Sequence, residues 1–242
     1  MAKADALLQS LRKFLPEPLG EQLEPHARLV TLRANQIVIG HQDRTRDVFV
    51  VLEGKLQIEL ASLNGREIIL AESGPGDLVG EFAALDDLPR SATVTAIGNA
   101  VLACIPGEVF RTTVLGNPQT ADWIARRLVR QIRLQTERIF ELNALAVRNR
   151  LHCELLRLCI ASGIKDNRAR VAPAPTHVQL ASRIGSHREA ITRELQYLQK
   201  QDIVVQQGRE LDVRDVAKLA EIVRAAAGDI DVVNRALLEP DG

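Results

Sequence analysis

The chain has 242 residues, 31 Lys and Arg against 31 Asp and Glu, and is 46% hydrophobic. That length and apolar content suffice for a sizeable core in one large domain or two small ones. Zero net charge excludes a global field toward nucleic acid or membrane, so any such attraction has to be local. Aromatic residues make up only 3%, which argues against base stacking on aromatic platforms.

The N-terminus, MAKADALLQSLRKFLPEPLG, has charges inside a short amphipathic pattern and does not read as a signal peptide. Residues 5–15 predict a short helix stopped by Pro16 and Pro18. From about residue 26 the apolar period becomes two. LVTLRANQIVI, DVFVVLEGKLQIEL, REIILAES, SATVTAI and AVLACI are Val- and Ile-rich runs. Turn signals at Glu53-Gly54-Lys55, Asn64-Gly65, Gly74-Pro75-Gly76-Asp77 and Gly98-Asn99 divide them. Short strands at this spacing predict an antiparallel sandwich or barrel.

After Asn117-Pro118 the period changes again. Ala121, Ala125, Leu128, Ile132, Gln135, Ile139, Leu142 and Ala146 alternate steps of four and three. This heptad seam predicts a long helix that pairs with a partner helix. Gln135 is a polar break in the seam, with Thr136 beside it, and either fixes register or faces a polar ligand. VRNRLHCELLRLCIASG predicts a further helix ending at Gly163, and KDNRARVAPAPT a polar loop.

THVQLASRIGSHREAITRELQYLQKQ predicts two helices split at Gly185, with Thr176 and Ser186 as N-caps. Val178, Leu180, Ala181 and Ile184 form the inner face of the first helix, and Ile191, Leu195 and Leu198 that of the second. Arg188, Glu189, Thr192 and Arg193 then point outward near the start of the second helix, the end that enters the major groove in a helix-turn-helix. Arginine matches both acceptors of guanine, and glutamate accepts from cytosine N4. Residues 150–214 hold eleven Lys and Arg against seven Asp and Glu, a local excess of four. A small hairpin with its turn at Gln207-Gly208 follows, then one more helix. The alternative is a helical pair whose charges are merely solvated.

Cys104, Cys153 and Cys159 have no CxxC spacing; buried packing in a reducing cytosol is expected for all three. His26, His41, His152, His177 and His187 are scattered, with no metal spacing and no nucleophile partner, so no enzyme activity is expected. No apolar run reaches the length of a membrane span, and a cytoplasmic location without membrane contact is expected.

The order of these parts resembles the Crp/Fnr family of bacterial transcription regulators, over about residues 20–214. Gly80-Glu81 followed by Arg90-Ser91-Ala92 is similar to the phosphate-binding cassette of cyclic-nucleotide domains. Ser186-His187-Arg188-Glu189-Ala190-Ile191-Thr192-Arg193 is similar to the family's recognition helix. The resemblance implies an α+β chain: an antiparallel β-roll or jelly roll for residues 1–116, a dimerisation helix for 117–146, and a winged helix-turn-helix with a helical extension for 147–242. It implies an effector site of Gly80, Glu81, Phe82, Ala83, Arg90, Ser91 and Ala92, with cyclic AMP favoured and cyclic GMP possible. Arg90 and Ser91 would hold the phosphate, Glu81 the ribose 2′-hydroxyl, and Gln135 and Thr136 the base. The local alternative for Arg90 is a surface salt bridge to Asp86 or Asp87.

The resemblance further implies DNA contacts by Thr176, Gln179, Ser186, His187, Arg188, Glu189, Thr192 and Arg193 on a palindrome with TGTGA-like half-sites. Its implied partners are double-stranded DNA, a second copy of the chain and RNA polymerase. No metal, haem or iron-sulfur cluster is expected, because the cluster branch needs cysteines near the N-terminus and none precedes Cys104. Ala146 stands where the family has an acidic cap. That loss is expected to cost about 1 kcal/mol and to let two helices run together. A different ligand, no ligand, or a purely dimerising role without DNA are the rival readings.

Overall fold

The computed structural model describes residues 2–61 and 67–238; the turn expected at Asn64-Gly65 lies outside them. The chain divides into two compact units, residues 1–130 and 131–242.

The first unit opens with α1 (Ala2–Gln9), α2 (Leu11–Phe14) and α3 (Glu17–Leu23). The single helix expected at 5–15 is thus broken at Ser10, and Pro18 does not stop a helix. Pro16 is the N-cap of α3 and Pro18 sits in its first turn, where backbone donors have no intrahelical acceptor and a missing N–H costs nothing.

The strands are β1 (Arg28–Leu32), β2 (Ile37–Ile39), β3 (Val48–Glu53), β4 (Leu56–Ala61), β5 (Glu67–Ser73), β6 (Leu78–Val79), β7 (Thr93–Ala96) and β8 (Ala100–Ile105). They form two four-stranded sheets, β1-β8-β3-β6 and β2-β7-β4-β5, with every pairing antiparallel. In β3 successive side chains point to opposite faces. Phe49 and Val51 join the core shared by the two sheets, with Leu56, Val94 and Leu102. Val48, Val50 and Leu52 pack on Leu11, Leu19, Phe110 and Ile124 of the helices. Burial on both faces is why this strand reads as an unbroken apolar run.

Three helices complete the unit: α4 (Glu81–Asp86), α5 (Gly107–Leu115) and the first half of α6 (Pro118–Ala144). Sequence reading missed β6 and α5. The two residues of β6 are too few for a period, and α5 starts from Pro106 without a side-chain cap.

The second unit holds the rest of α6, then α7 (Val147–Ser162), β9 (Ala169–Val171), α8 (His177–Arg183), α9 (Arg188–Lys200), β10 (Val204–Gln207), β11 (Glu210–Val213), α10 (Val216–Ala227) and α11 (Asp231–Leu238). Its core joins Leu151, Leu155, Ile191, Leu198, Leu211 and Leu219. The segment expected as a polar loop supplies β9, so the wing is a three-stranded sheet in the order β10-β11-β9 rather than a lone hairpin.

Nor do α6 and α7 run together. Ala146 is extended, with φ −62° and ψ 153°, and caps α7 with no side-chain bond. Its carbonyl accepts the Asn149 and Arg150 N–H groups at 2.9 and 3.1 Å, while Leu145 is buried in the core. Backbone bonds and apolar anchoring hold the break that the missing carboxylate would otherwise cap. All three cysteines are buried and free; burial pushes the thiol of Cys104 up to about 11 and those of Cys153 and Cys159 to about 12. No helix among the described residues is long and apolar enough to cross a membrane.

Candidate functional site

The Gly80–Ala92 stretch wraps around one arginine. Arg90 is 2% exposed, yet bonds to neither nearby acid: Asp87 pairs with Arg46 at 2.6 Å, and Asp86 accepts the Leu88 N–H at 3.0 Å. The expected local alternative therefore does not form. The Arg90 guanidinium donates to Thr45 Oγ1 at 3.1 Å, to the Gly80 carbonyl at 2.7 Å and to the Asp47 carbonyl at 2.7 Å. A guanidinium has five N–H donors, so these three bonds leave two uncommitted. Burial lowers its pKa, against the attraction of Asp47, Asp43 and Glu81.

The backbone fixes this arrangement. Arg90 N–H donates to the Asp43 carbonyl and Gln42 N–H to the Arg90 carbonyl, each at 2.9 Å. Gly80 has φ +87°, and a Cβ there would stand 2.6 Å from Arg90 Nη1 and 2.9 Å from the Asp47 carbonyl oxygen. Only glycine meets both demands.

Glu81, the first residue of α4, is 4% exposed. Burial raises its pKa, while its own backbone N–H and the charges of Arg127 and Arg90 pull it back. Ala83 and Ala92 are buried, and Phe82 and Ser91 are exposed. Thr45, Asp47 and Arg127 were missed in the sequence. The first two lie in a polar loop, His41–Asp47, with no period to mark it; Arg127 sits on α6 with its Nη2 3.5 Å from Asp77 Oδ1. The arrangement gathers one carboxylate, a donor-rich guanidinium and an exposed hydroxyl around a glycine turn, a donor and acceptor set suited to an anionic, hydroxyl-bearing ligand.

Along α6, Ile132, Gln135, Ile139 and Leu142 of the seam are exposed, with Ile132 at 64%. Thr136 donates to the Ile132 carbonyl at 2.9 Å, an intrahelical bond.

In the second unit, α8 and α9 form the expected helix-turn-helix. Thr176 caps α8 in a capping box with Gln179, so the Gln179 amide oxygen is spent on Thr176. Ser186 is not the cap of α9: His187 is, without a side-chain bond, and the Ser186 hydroxyl is buried with no partner in the described structure. Val178, expected inside, is 59% exposed. Two residues turn a helix by about 200°, so Val178 lies opposite the buried Leu180. Thr192, expected to point outward, is half-buried and its hydroxyl lies 2.8 Å from His177 Nδ1. Arg188, Glu189 and Arg193 are exposed, with no side-chain hydrogen bond or ion pair among the described residues. Three exposed, uncommitted charges on the first two turns of α9 are what base-edge recognition requires.

A buried ionic cluster, also missed in the sequence, joins α6, α7 and α8. Glu154 accepts from Arg138 at 2.5 Å and Arg183 at 3.0 Å, and Glu141 accepts a forked pair from Arg157.

Residues 29–117 match the cyclic nucleotide-binding domain family and residues 149–222 the Crp-like helix-turn-helix domain family. The chain is 31% identical to the cyclic AMP receptor protein of Thermus thermophilus over 185 residues, 74% of this chain and 81% of that one. It is 24% identical to the CRP-like cAMP-activated global transcriptional regulator of Mycobacterium tuberculosis over 207 residues, covering 85% and 91%. The structure of FixK2 from Bradyrhizobium japonicum matches its fold with a TM-score of 0.72 at 20% identity, covering 83% of this chain and 99% of that one. With both domain families in this order and the helix-turn-helix and antiparallel sheets in place, the chain belongs to the Crp/Fnr family, as a DNA-binding transcription regulator carrying a cyclic-nucleotide-binding domain and not an enzyme.

Proposed function

We propose that the chain is a homodimeric regulator switched by cyclic AMP, with cyclic GMP as the second candidate. The observation that carries this reading is the buried Arg90 with two N–H donors to spare beside the buried Glu81. The cyclic phosphate takes the spare donors and the exposed Ser91 hydroxyl; Glu81 accepts from the ribose 2′-hydroxyl. Gly80, Phe82, Ala83 and Ala92 shape the turn around the phosphate. Gln135 and Thr136 are assigned to the base on the sequence resemblance. The exposed apolar seam of α6 supports pairing with a second copy. Dimer pairing sets two recognition helices about 34 Å apart, one DNA turn.

In this reading Arg188, Glu189 and Arg193 read a TGTGA-like half-site, repeated as a palindrome, and Gln179, His187 and Ser186 lie along the same duplex. Thr176 and Thr192 contribute through the positions they hold. RNA polymerase is the proposed downstream partner. Effector binding shifts a population between two states, by no more than its differential affinity for them.

Calorimetric titration tests the pocket: cyclic AMP binds wild type, and Arg90→Leu abolishes binding while the fold survives. Unchanged affinity in that variant would sink the assignment, and tighter binding of cyclic GMP would replace the effector. For the DNA side, Glu189→Ala relaxes discrimination at one base pair by about 1–3 kcal/mol; uniform loss across all duplexes would instead mark a phosphate contact.

A further inference from the structure

His177, the first residue of α8, bridges two other elements of the second unit, α9 and β10. Its Nδ1 lies 2.8 Å from Thr192 Oγ1 on α9, and its Nε2 lies 3.1 Å from Gln206 Oε1 on β10. The Thr192 hydroxyl also lies 3.0 Å from the Arg188 carbonyl: it accepts from an Nδ1–H when its proton is on that carbonyl, and donates to a bare Nδ1 when it is not. The Gln206 amide accepts from a protonated ring nitrogen or, turned over, donates to a bare one, so the bridge serves either form of the ring.

The strand it grips, β10, is an edge of the wing sheet. Beyond β10 the wing turn carries Gly208 and Arg209. Arg209 is exposed with no side-chain partner among the described residues, whereas Arg170 on the same sheet is paired with Glu210 and Asp212. A groove of about 430 Å³ runs between these elements, lined by Thr176, His177, Val178, Arg188, Gln206 and Arg209.

We infer that His177 is a positioning residue for DNA recognition: one imidazole sets both the seat of the recognition helix, through Thr192, and the height of the wing, through Gln206. Arg188 and Arg209 are thereby presented to one duplex together, Arg188 to base edges and Arg209 to a phosphate. The inference rests on the DNA-reading assignment above and adds the residue that couples its two halves.

The two ring nitrogens are separable by substitution. An asparagine amide reaches the place of Nδ1, and a glutamine amide that of Nε2. His177→Asn therefore keeps the Thr192 bond and releases the wing; His177→Gln keeps the wing and releases Thr192. The test measures binding of the full-length chain, with cyclic AMP, to a duplex of inverted TGTGA repeats, as salt and single base pairs are varied. His177→Asn is expected to lower the slope of log K against log salt by about one per half-site, as Arg209→Ala does, with base discrimination intact and nothing added in the double variant. His177→Gln is expected to keep the salt slope and to lose several-fold discrimination at the base pair read by Arg188 and Glu189.

Both amide variants are checked for wild-type melting, so a fold defect in His177→Ala does not decide the matter. If both amides behave as wild type, or both move slope and discrimination together, His177 is not the coupler and the inference falls while the DNA reading stands. If the wild-type chain fails to bind the duplex, the TGTGA half-site reading falls and takes the inference with it.

Discussion

Arg90 in the first unit and Glu154 in the second are both 2% exposed, and they are held in opposite ways. Glu154 is used up. Its two oxygens accept from Arg138 and Arg183, Arg157 stands 3.7 Å away, and burial, which raises its pKa, is outweighed by those three arginines, so its carboxyl sits below the ordinary range. Arg90 is held mainly by neutral oxygens and keeps donors unspent. A buried charge whose partners exhaust it fixes helices against each other. One held by carbonyls keeps N–H donors that its own fold does not use.

The largest expected effect comes from emptying the exhausted site. Glu154→Ala removes an acceptor of Arg183 and leaves Arg138 and Arg157 to Glu141, and is expected to cost about 3–5 kcal/mol, read as faster amide exchange in α7 and α8. The pH dependence has a definite sign. A depressed folded pKa gives stability that is present above the ordinary carboxylate pKa and lost as pH falls through the depressed one. The second unit should thus loosen in acid, and Glu154→Ala should lack that step.

Arg90→Leu comes next. It strands the Gly80 and Asp47 carbonyls, at about 1–3 kcal/mol, read by melting followed through Trp123, the chain's only tryptophan. A loss as large as that of Glu154→Ala would erase the contrast between the two sites.

Glu81→Gln has the opposite sign. Burial raises the folded pKa of Glu81, so the protonated form is favoured and its stabilising effect is lost as pH rises through the raised value. The glutamine variant should melt higher than wild type at neutral pH, the gain fading below the ordinary carboxylate range, while losing affinity for the nucleotide. A gain that persists unchanged in acid would mean the carboxylate is not the cause. The smallest effect belongs to the exposed Arg46–Asp87 pair: Asp87→Asn, which keeps a residue tolerant of the positive φ at this position, should change stability by less than about 1 kcal/mol.

Much of this molecule is legible from periodicity. The five strand runs, the long helix from Pro118, the Thr176 cap and the split at Gly185 all appear where residue spacing puts them. The misses share a cause. Pro18 depends on where the next helix begins, β9 on a partner strand forty residues away in β11, and Val178 on a helix two turns long with a narrow buried face. At the candidate site, Gly80, Glu81 and Arg90 stand out in the sequence, but Thr45, Asp47 and Arg127 do not, because no local pattern ties a polar loop or a helix arginine to a glycine turn.

From the sequence alone came the kinds of element, their order, the glycine turn before Glu81, and the charges on the recognition helix. Each follows from short-range rules, in which side-chain period, caps and turn residues act within a few positions. Tertiary structure decided the partners. Arg90 bonds to the Asp47 and Gly80 carbonyls rather than Asp86 or Asp87, Thr192 turns to His177, and Glu154 collects arginines from three helices. A buried polar group bonds to whichever acceptor or donor the packed core brings within about 3 Å, and only the fold brings residues that far apart in sequence together.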